Sequence, residues 1–328
     1  MKNRKKFLAV GAMCSILFVS APADAAYQLN EEVANPPAAL QLATQIGVLK
    51  YDNPMLSESY MDKDAIVVLS FGTTFKDQRT KSIDATAKAI QAAHPNAKVV
   101  TAFTSHIVLK HIMENEGKCD YMTPEQTLDN LKREGYTRIA LVSLDVIPGM
   151  EYKYDVALFH QYKTQFKKMT LATPLMYWQG QEDQRDDVGE VMRSLHLPAY
   201  KKGTAILLMA HGTPDPSNAY YSVMQEKLRA MKRNDVHIYT VEGWPRLEDW
   251  AGKLKMHKVE KIILMPLMMV AGDHANNDMA GDEDDSHKVI LQKMGFKVET
   301  RLQGLGENKK IQSIFVERAN EAWDALVK

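Results

Sequence analysis

Three side chains in the second half of the chain, His211, Glu242 and His274, could together hold a divalent metal ion. Two imidazoles and a carboxylate suit a first-row ion such as Fe, Co, Ni or Zn. Three protein ligands also leave coordination positions open for exchange or chemistry. Each residue alone has a plainer role. A histidine after a strand commonly satisfies a turn, Glu242 could cap the helix that Pro245 helps to start, and His274 could be a loop residue. Their shared placement argues for a site, because each falls just beyond the carboxyl end of an expected strand, where open α/β sheets bind ligands. His94, His160, His196, His237, His257 and His287 have no such placement and read as structural. Two cysteines are too few for a disulfide framework or a thiolate zinc site. The absence of a G-x-S-x-G nucleophile motif argues against a hydrolase.

The elements that must position these residues are legible from apolar runs alternating with amphipathic stretches, the pattern of a parallel sheet flanked by helices. Buried strands are expected at 65–71, 98–102, 138–144, 205–209, 237–241 and 261–267, with helices at 82–93, 124–135, 150–166, 218–231 and 245–257 between them. Crossovers of this length are what parallel strands require. The composition agrees: 328 residues, 25% charged and 45% hydrophobic, describe an ordinary globular chain of about two domains. Lys plus Arg equals Asp plus Glu at 41 each, so there is no basic surplus for nucleic acid.

The second half repeats the first. AIVVLSFGTT at 65–74 returns as AILLMAHGTP at 205–214. KVVTAFTS at 98–105 is answered by HIYTVEGW at 237–244 when the shared Thr101 and Thr240 are aligned. The segment 136–157 is answered by 259–280. Three blocks in the same order imply an α/β fold of two homologous, doubly wound parallel-sheet halves facing each other across a cleft. The expected division is an N-terminal half at 65–200 and a C-terminal half at 201–328 carrying the metal site. In this alignment Phe71 stands opposite His211, Phe103 opposite Glu242 and Glu151 opposite His274. One half thus offers metal ligands where the other offers mostly aromatic surface.

The motifs SFGTT (70–74), AHGT (210–213), VEGWP (241–245) and above all LMPLMMVAGDHANNDMAGDEDDS (264–286) resemble the class II tetrapyrrole chelatases. The similarity is greatest to the anaerobic sirohydrochlorin cobaltochelatase family, distant kin of ferrochelatase. It runs from residue 65 to the C-terminus and includes the GLGEN turn at 304–308. The resemblance implies two similar α/β domains with a tetrapyrrole cleft between them, and ATP-independent insertion of Co(II), with Fe(II) as an alternative, into sirohydrochlorin. It places the metal ligands on His211, Glu242 and His274. His211 is expected to be the catalytic base as well as a ligand, since a neutral imidazole can do both near ambient pH. Phe71, Phe103, Trp244, Met268 and Met269 are the candidate walls for the flat macrocycle. The acidic run Asp278, Asp282, Glu283, Asp284 and Asp285 reads either as a carboxylate funnel for cations or as a solvated helix start.

The N-terminus departs from a cytoplasmic biosynthetic enzyme. Lys2, Arg4, Lys5 and Lys6 precede an apolar stretch at 7–21 and an Ala23-Asp24-Ala25 cleavage pattern, as in a secretory signal peptide at 1–25. The apolar stretch falls short of the roughly 20 residues a spanning helix needs, so a cleaved signal and a periplasmic protein without a stable membrane anchor are expected. Cleavage removes Cys14 and leaves Cys119 as a lone thiol. Residues 26–64, with the Pro36-Pro37 pair and one short helix at 38–46, read as an arm that drapes over the domain or over a neighbour in a homo-oligomer. His106 and His111, on the helix after the second strand, are not expected in the family. They read either as surface residues, being a poor spacing for one face, or as an accessory axial ligand to haem or a metal. The alternative to an enzyme is therefore an exported haem- or metal-binding carrier on the chelatase fold.

Overall fold

The computed structural model describes residues 29–328 apart from 31, 57–59 and 182, so the expected signal peptide and Cys14 lie outside the described residues. Among the described residues, nine strands form two sheets. The first contains β1 (Leu49–Asp52), β2 (Asp64–Ser70), β3 (Lys98–Phe103), β4 (Arg138–Ser143) and β5 (Lys168–Leu171), in the order β1-β5-β4-β2-β3. The second contains β6 (Thr204–Ala210), β7 (Val236–Thr240), β8 (Lys261–Pro266) and β9 (Lys297–Thr300), in the order β7-β6-β8-β9. Apart from β1, which runs antiparallel to β5, the pairs are parallel. The sheets share one topology, β3-β2-β4-β5 matching β7-β6-β8-β9, as the repeat requires.

The strands are apolar without interruption because both faces are buried, as parallel sheets demand. Ala65, Val67 and Leu69 face an outer cluster with Leu128, Leu158 and Phe159 from the helices Pro124–Arg133 and Met150–Tyr162. Ile66 and Val68 face the other way, into a core that also takes Ile206 and Leu208 of the second sheet. One continuous core therefore joins the halves.

The helices between the sheets are exchanged. The C-terminal helix Lys309–Val327 packs on β4, β5 and the helix Ala85–Ala93, all in the first half. Thr170 Oγ1 donates to its Ala322 carbonyl at 2.9 Å. In return the helix Asp187–Ser194 packs against Tyr220–Ala230 of the second half. Chain halves divided at residue 200 are thus not the spatial halves. A buried ionic cluster pins the exchange: Arg318, 1% exposed, donates to Asp187 at 2.8 Å and to Glu321 at 2.7 Å, and Arg185 joins both acids.

The arm is corrected in part. It carries the expected short helix, at Ala38–Ala43, but then supplies the edge strand β1 to the first sheet instead of only draping over it. Among the described residues, no helix is long and apolar enough to cross a membrane.

Strand register also corrects one block of the repeat. β2 pairs Ser70 with Phe103, and β6 pairs Ala210 with Thr240. The counterpart of Phe103 is therefore Thr240, and that of Glu242 is Ser105. The shared threonines 101 and 240 are not equivalent. The other two blocks hold, since Val68 pairs with Val142 as Leu208 pairs with Met265.

Candidate metal centre and cleft

His211 directly follows β6, Glu242 follows β7, and His274 follows the loop after β8, so three adjacent strand ends converge. One ligand atom from each lies within 4.8 Å of the others. The two imidazoles stand edge to face, centroids 5.0 Å apart at 77°. His211 Nδ1 is 2.9 Å from the Gly212 carbonyl, which can only accept, so Nδ1 carries the proton and Nε2 keeps its lone pair. His274 Nδ1 sits 2.5 Å from Asp278 Oδ2. A carboxylate behind an imidazole fixes ring orientation and strengthens the opposite nitrogen as a donor. Both Nε2 atoms are thereby left for a ligand.

The backbone makes this convergence possible. The Glu242 amide donates to the His211 carbonyl at 2.8 Å, and Gly212, at φ +92°, lies against the backbone of Glu242 and Gly243. A β-carbon there would collide with both, and the positive φ disfavours any side chain. The GLGEN turn supports the His274 loop from behind, with Leu305 N donating to Met268 O at 2.8 Å and Gly306 N to Met269 O at 2.9 Å. Asn308 then caps the C-terminal helix through Lys310 N.

His211 and His274 of the triad line a cavity of about 270 Å³ between the halves. Phe71, Thr73, Asp145 and Glu151 line it from the first half, and His211, Thr213, Met268, Met269 and His274 from the second. The halves touch in matched pairs: Thr73 approaches Gly272 and Thr213 approaches Gly149, positions equivalent under the repeat. Lys153 of the first half ion-pairs with Asp215 of the second, and this ammonium holds the Asp215 carboxyl down at about 2.

Asp145 and Asp155 form an acid pair on the first-half wall. Burial, followed by the Glu151 charge, pushes Asp145 up to about 7. Burial, followed by Asp145 itself, pushes Asp155 well above the carboxylate range. Asp155 is 1% exposed, and neither of its carboxyl oxygens has a hydrogen-bond partner of normal geometry.

Of the wall residues expected from sequence, Phe71, Met268 and Met269 line the cavity. Phe103 does not: it is fully buried beneath Gly72 and stacked on Tyr121 with centroids 4.1 Å apart. Its place at the end of β3, rather than beyond it, turns it into core. Trp244 is 59% exposed and lies outside the cavity lining, because the 241–245 loop turns its side chain to solvent. His106 and His111 are exposed on the helix His106–Glu116. Five residues on a helix place them on different faces, so they do not form a joint site. The acidic run splits: Asp278 belongs to the centre, whereas Asp282 and Asp284 are exposed and pair with Lys288 and Lys293 of the next helix. Among the histidines read as structural, His94 packs on Trp323, His237 on Trp250, and His287 Nδ1 meets Tyr239 OH at 3.0 Å.

Sequence reasoning missed Asp145 and Asp155 and used Glu151 only as an alignment partner. A signal was present, since the spacing that pairs Glu151 with His274 also pairs Asp155 with Asp278.

Two like α/β halves, a cleft between them and one ligand set at the strand ends of the second half define a two-lobed metal-handling fold. Residues 64–324 match the family model described as cobalt chelatase (CbiK). The chain is 32% identical over 268 residues to the sirohydrochlorin cobaltochelatase of Salmonella typhimurium, covering 81% of this chain and 98% of that one. It is 29% identical over 269 residues to the sirohydrochlorin cobaltochelatase CbiKC of Nitratidesulfovibrio vulgaris, covering 81% and 93%. In fold it is similar to SirB from Bacillus subtilis with Fe3+, at a TM-score of 0.52 and 15% identity, over 79% of this chain and 95% of that one. The chain belongs to the cobalt chelatase family and is a chelatase enzyme.

Proposed function

We propose that this enzyme inserts Co(II), with Fe(II) as an alternative metal, into sirohydrochlorin without ATP. The family and the activity named for its relatives support the substrate pair. The observation that carries the reading is the convergence of His211, Glu242 and His274 within 4.8 Å beside the cleft.

The metal is a substrate here. His211 Nε2, His274 Nε2 and a Glu242 oxygen hold it while the macrocycle lies against Phe71, Met268 and Met269. Three ligands leave open positions, so pyrrole nitrogens can enter before protein ligands leave. As the metal passes to the macrocycle, His211 Nε2 is released and can accept a pyrrole proton, while its Nδ1 keeps its own proton, donated to the Gly212 carbonyl. The apolar walls exclude water from the exchange.

The test is an anaerobic absorbance assay of the purified protein with sirohydrochlorin and Co(II). Insertion is expected in the wild type and loss of at least about a hundredfold in His211→Ala, the lower range for removing a positioned base. Insertion at an unchanged rate in the variant would falsify the role of His211, and no insertion by the wild type would overturn the reading.

Residues 2–25 support export to the periplasm, which Edman sequencing of the secreted form tests by a start at residue 26. A second reading, an exported haem or metal carrier with His106 or His111 as axial ligand, rests on the same export pattern and on these two exposed imidazoles. A Soret band in the protein as isolated, lost in His106→Ala or His111→Ala, would favour it.

A further inference from the structure

The mechanism above uses one wall of the cleft. The other holds a carboxyl pair that it leaves idle. Asp145 follows β4 and lines the same cavity as His211 and His274. Behind it, on the buried side of the helix Met150–Tyr162, Asp155 is 1% exposed and interacts with Asp145 and Ser143. Ser143 Oγ donates to Asp145 at 3.0 Å.

The repeat shows how this arrangement arose from the same frame as the metal centre. The spacing of 123 residues that equates Glu151 with His274 equates Asp155 with Asp278. In the second half the helical acid stands behind an imidazole that faces the cleft. In the first half it stands behind a carboxyl that faces the cleft. One wall carries metal ligands and the opposite wall carries an acid–base pair.

We propose that Asp145, backed by Asp155, is a catalytic base that accepts a pyrrole proton from the side of the macrocycle opposite the His211, Glu242 and His274 ligands. The inference rests on the metal-insertion reading. Insertion must remove two N–H protons: His211 can take one on the metal's side once it is released, and a base on the opposite wall can take the other without competing with the metal for the same nitrogen. In the step assigned to Asp145, a pyrrole N–H bond breaks and a carboxyl O–H bond forms. The N–H electron pair stays on nitrogen and becomes the donor pair to the incoming metal, so nothing is oxidised or reduced. Glu151, at the cavity edge, is the group through which the proton passes to solvent. Two carboxyls confined together cannot both ionise, so they share a proton and remain a better base near neutrality than an exposed aspartate. Glu151, on the helix, is the charge that raises Asp145, whereas the hydrogen bond from protonated Asp155 favours its ionised form. Ser143 donates from its own strand. His211, Tyr221, Asp273 and His274 are the ionisable groups facing it across the cavity, and Tyr152 lies near it on its own side.

The experiment compares the wild type with Asp145→Asn in anaerobic insertion of Co(II) into sirohydrochlorin, together with calorimetric titration of Co(II) alone. Expected are Co(II) affinity and KM within about threefold of the wild type and a kcat lower by about 10²–10⁴-fold, the range for a general base. A kcat within threefold overturns the inference while leaving the metal-insertion reading intact. That reading fails on its own terms if the wild type inserts no metal. Should Asp145→Asn not fold, Glu151→Gln keeps Asp145 in place and removes the charge that raises it. The acid limb of the kcat profile must then move to lower pH, and a limb that stays put overturns the proposal.

Discussion

At the residue scale the centre depends on which nitrogen each imidazole presents. Asp278 decides this for His274, because its carboxylate accepts the Nδ1 proton at 2.5 Å. Asp278→Ala is expected to weaken Co(II) binding by about 10–100-fold, the usual loss when such a supporting acid is removed. Asp278→Asn, which can still meet Nδ1 through its amide oxygen, should recover part of the loss in a calorimetric titration. The acid pair makes a separate prediction about stability. Asp145 titrates at about 7 in the folded chain, against about 3.9 in an unfolded one. An acid whose folded value is raised stabilises the fold most below its unfolded value and loses that contribution as pH rises to and through its folded value. Between pH 4 and pH 8 the Tm of Asp145→Asn should therefore rise relative to the wild type, and a constant difference across that range would refute the account.

At the element scale, the six strands expected from apolar runs end within one residue of their observed limits. Three others were not read: β1, β5 and β9 have four residues each. Runs this short carry too little periodicity to stand out, and β1 finds its partner only in a strand more than a hundred residues away. The misalignment of Phe103 with Glu242 has a related cause. A shift of two residues leaves every side chain on its own face of the sheet, so alternation could not expose it, and only the ladder did. Backbone shape matters equally at the loop after β6. Gly212→Ala would force a β-carbon into the Glu242–Gly243 backbone at φ +92°. It should cost about 1–3 kcal/mol for the strained conformation and separate His211 from Glu242. Denaturant unfolding and Co(II) titration should register both losses.

At the scale of the whole molecule, the exchanged helices hold the cleft walls in register. The cluster of Arg318, Asp187, Arg185 and Glu321 lies where the C-terminal helix crosses to the first half. Arg318→Ala takes from Asp187, which is 1% exposed, one of its two arginine partners and leaves Arg185. The expected loss is about 1.5–3 kcal/mol, as for a charge-assisted hydrogen bond lost from a buried group that keeps another partner. It should appear as a lower denaturant midpoint, with loss of insertion activity following unfolding rather than preceding it.

Much of this protein follows from local pattern. Apolar runs buried on both faces specify parallel strands, the repeat specifies two like halves, and three unlike residues at repeated strand ends specify the candidate ligands. The tertiary structure alone decided what depends on distant partners: the two-residue register of β3, the burial of Phe103, the exchange of helices between halves, and the pairing of Asp145 with Asp155. The physical reason is one of range. Periodicity and strand-end placement are set by neighbours along the chain, whereas register, exchange and a shared proton are set by groups that meet only when the chain has closed on itself.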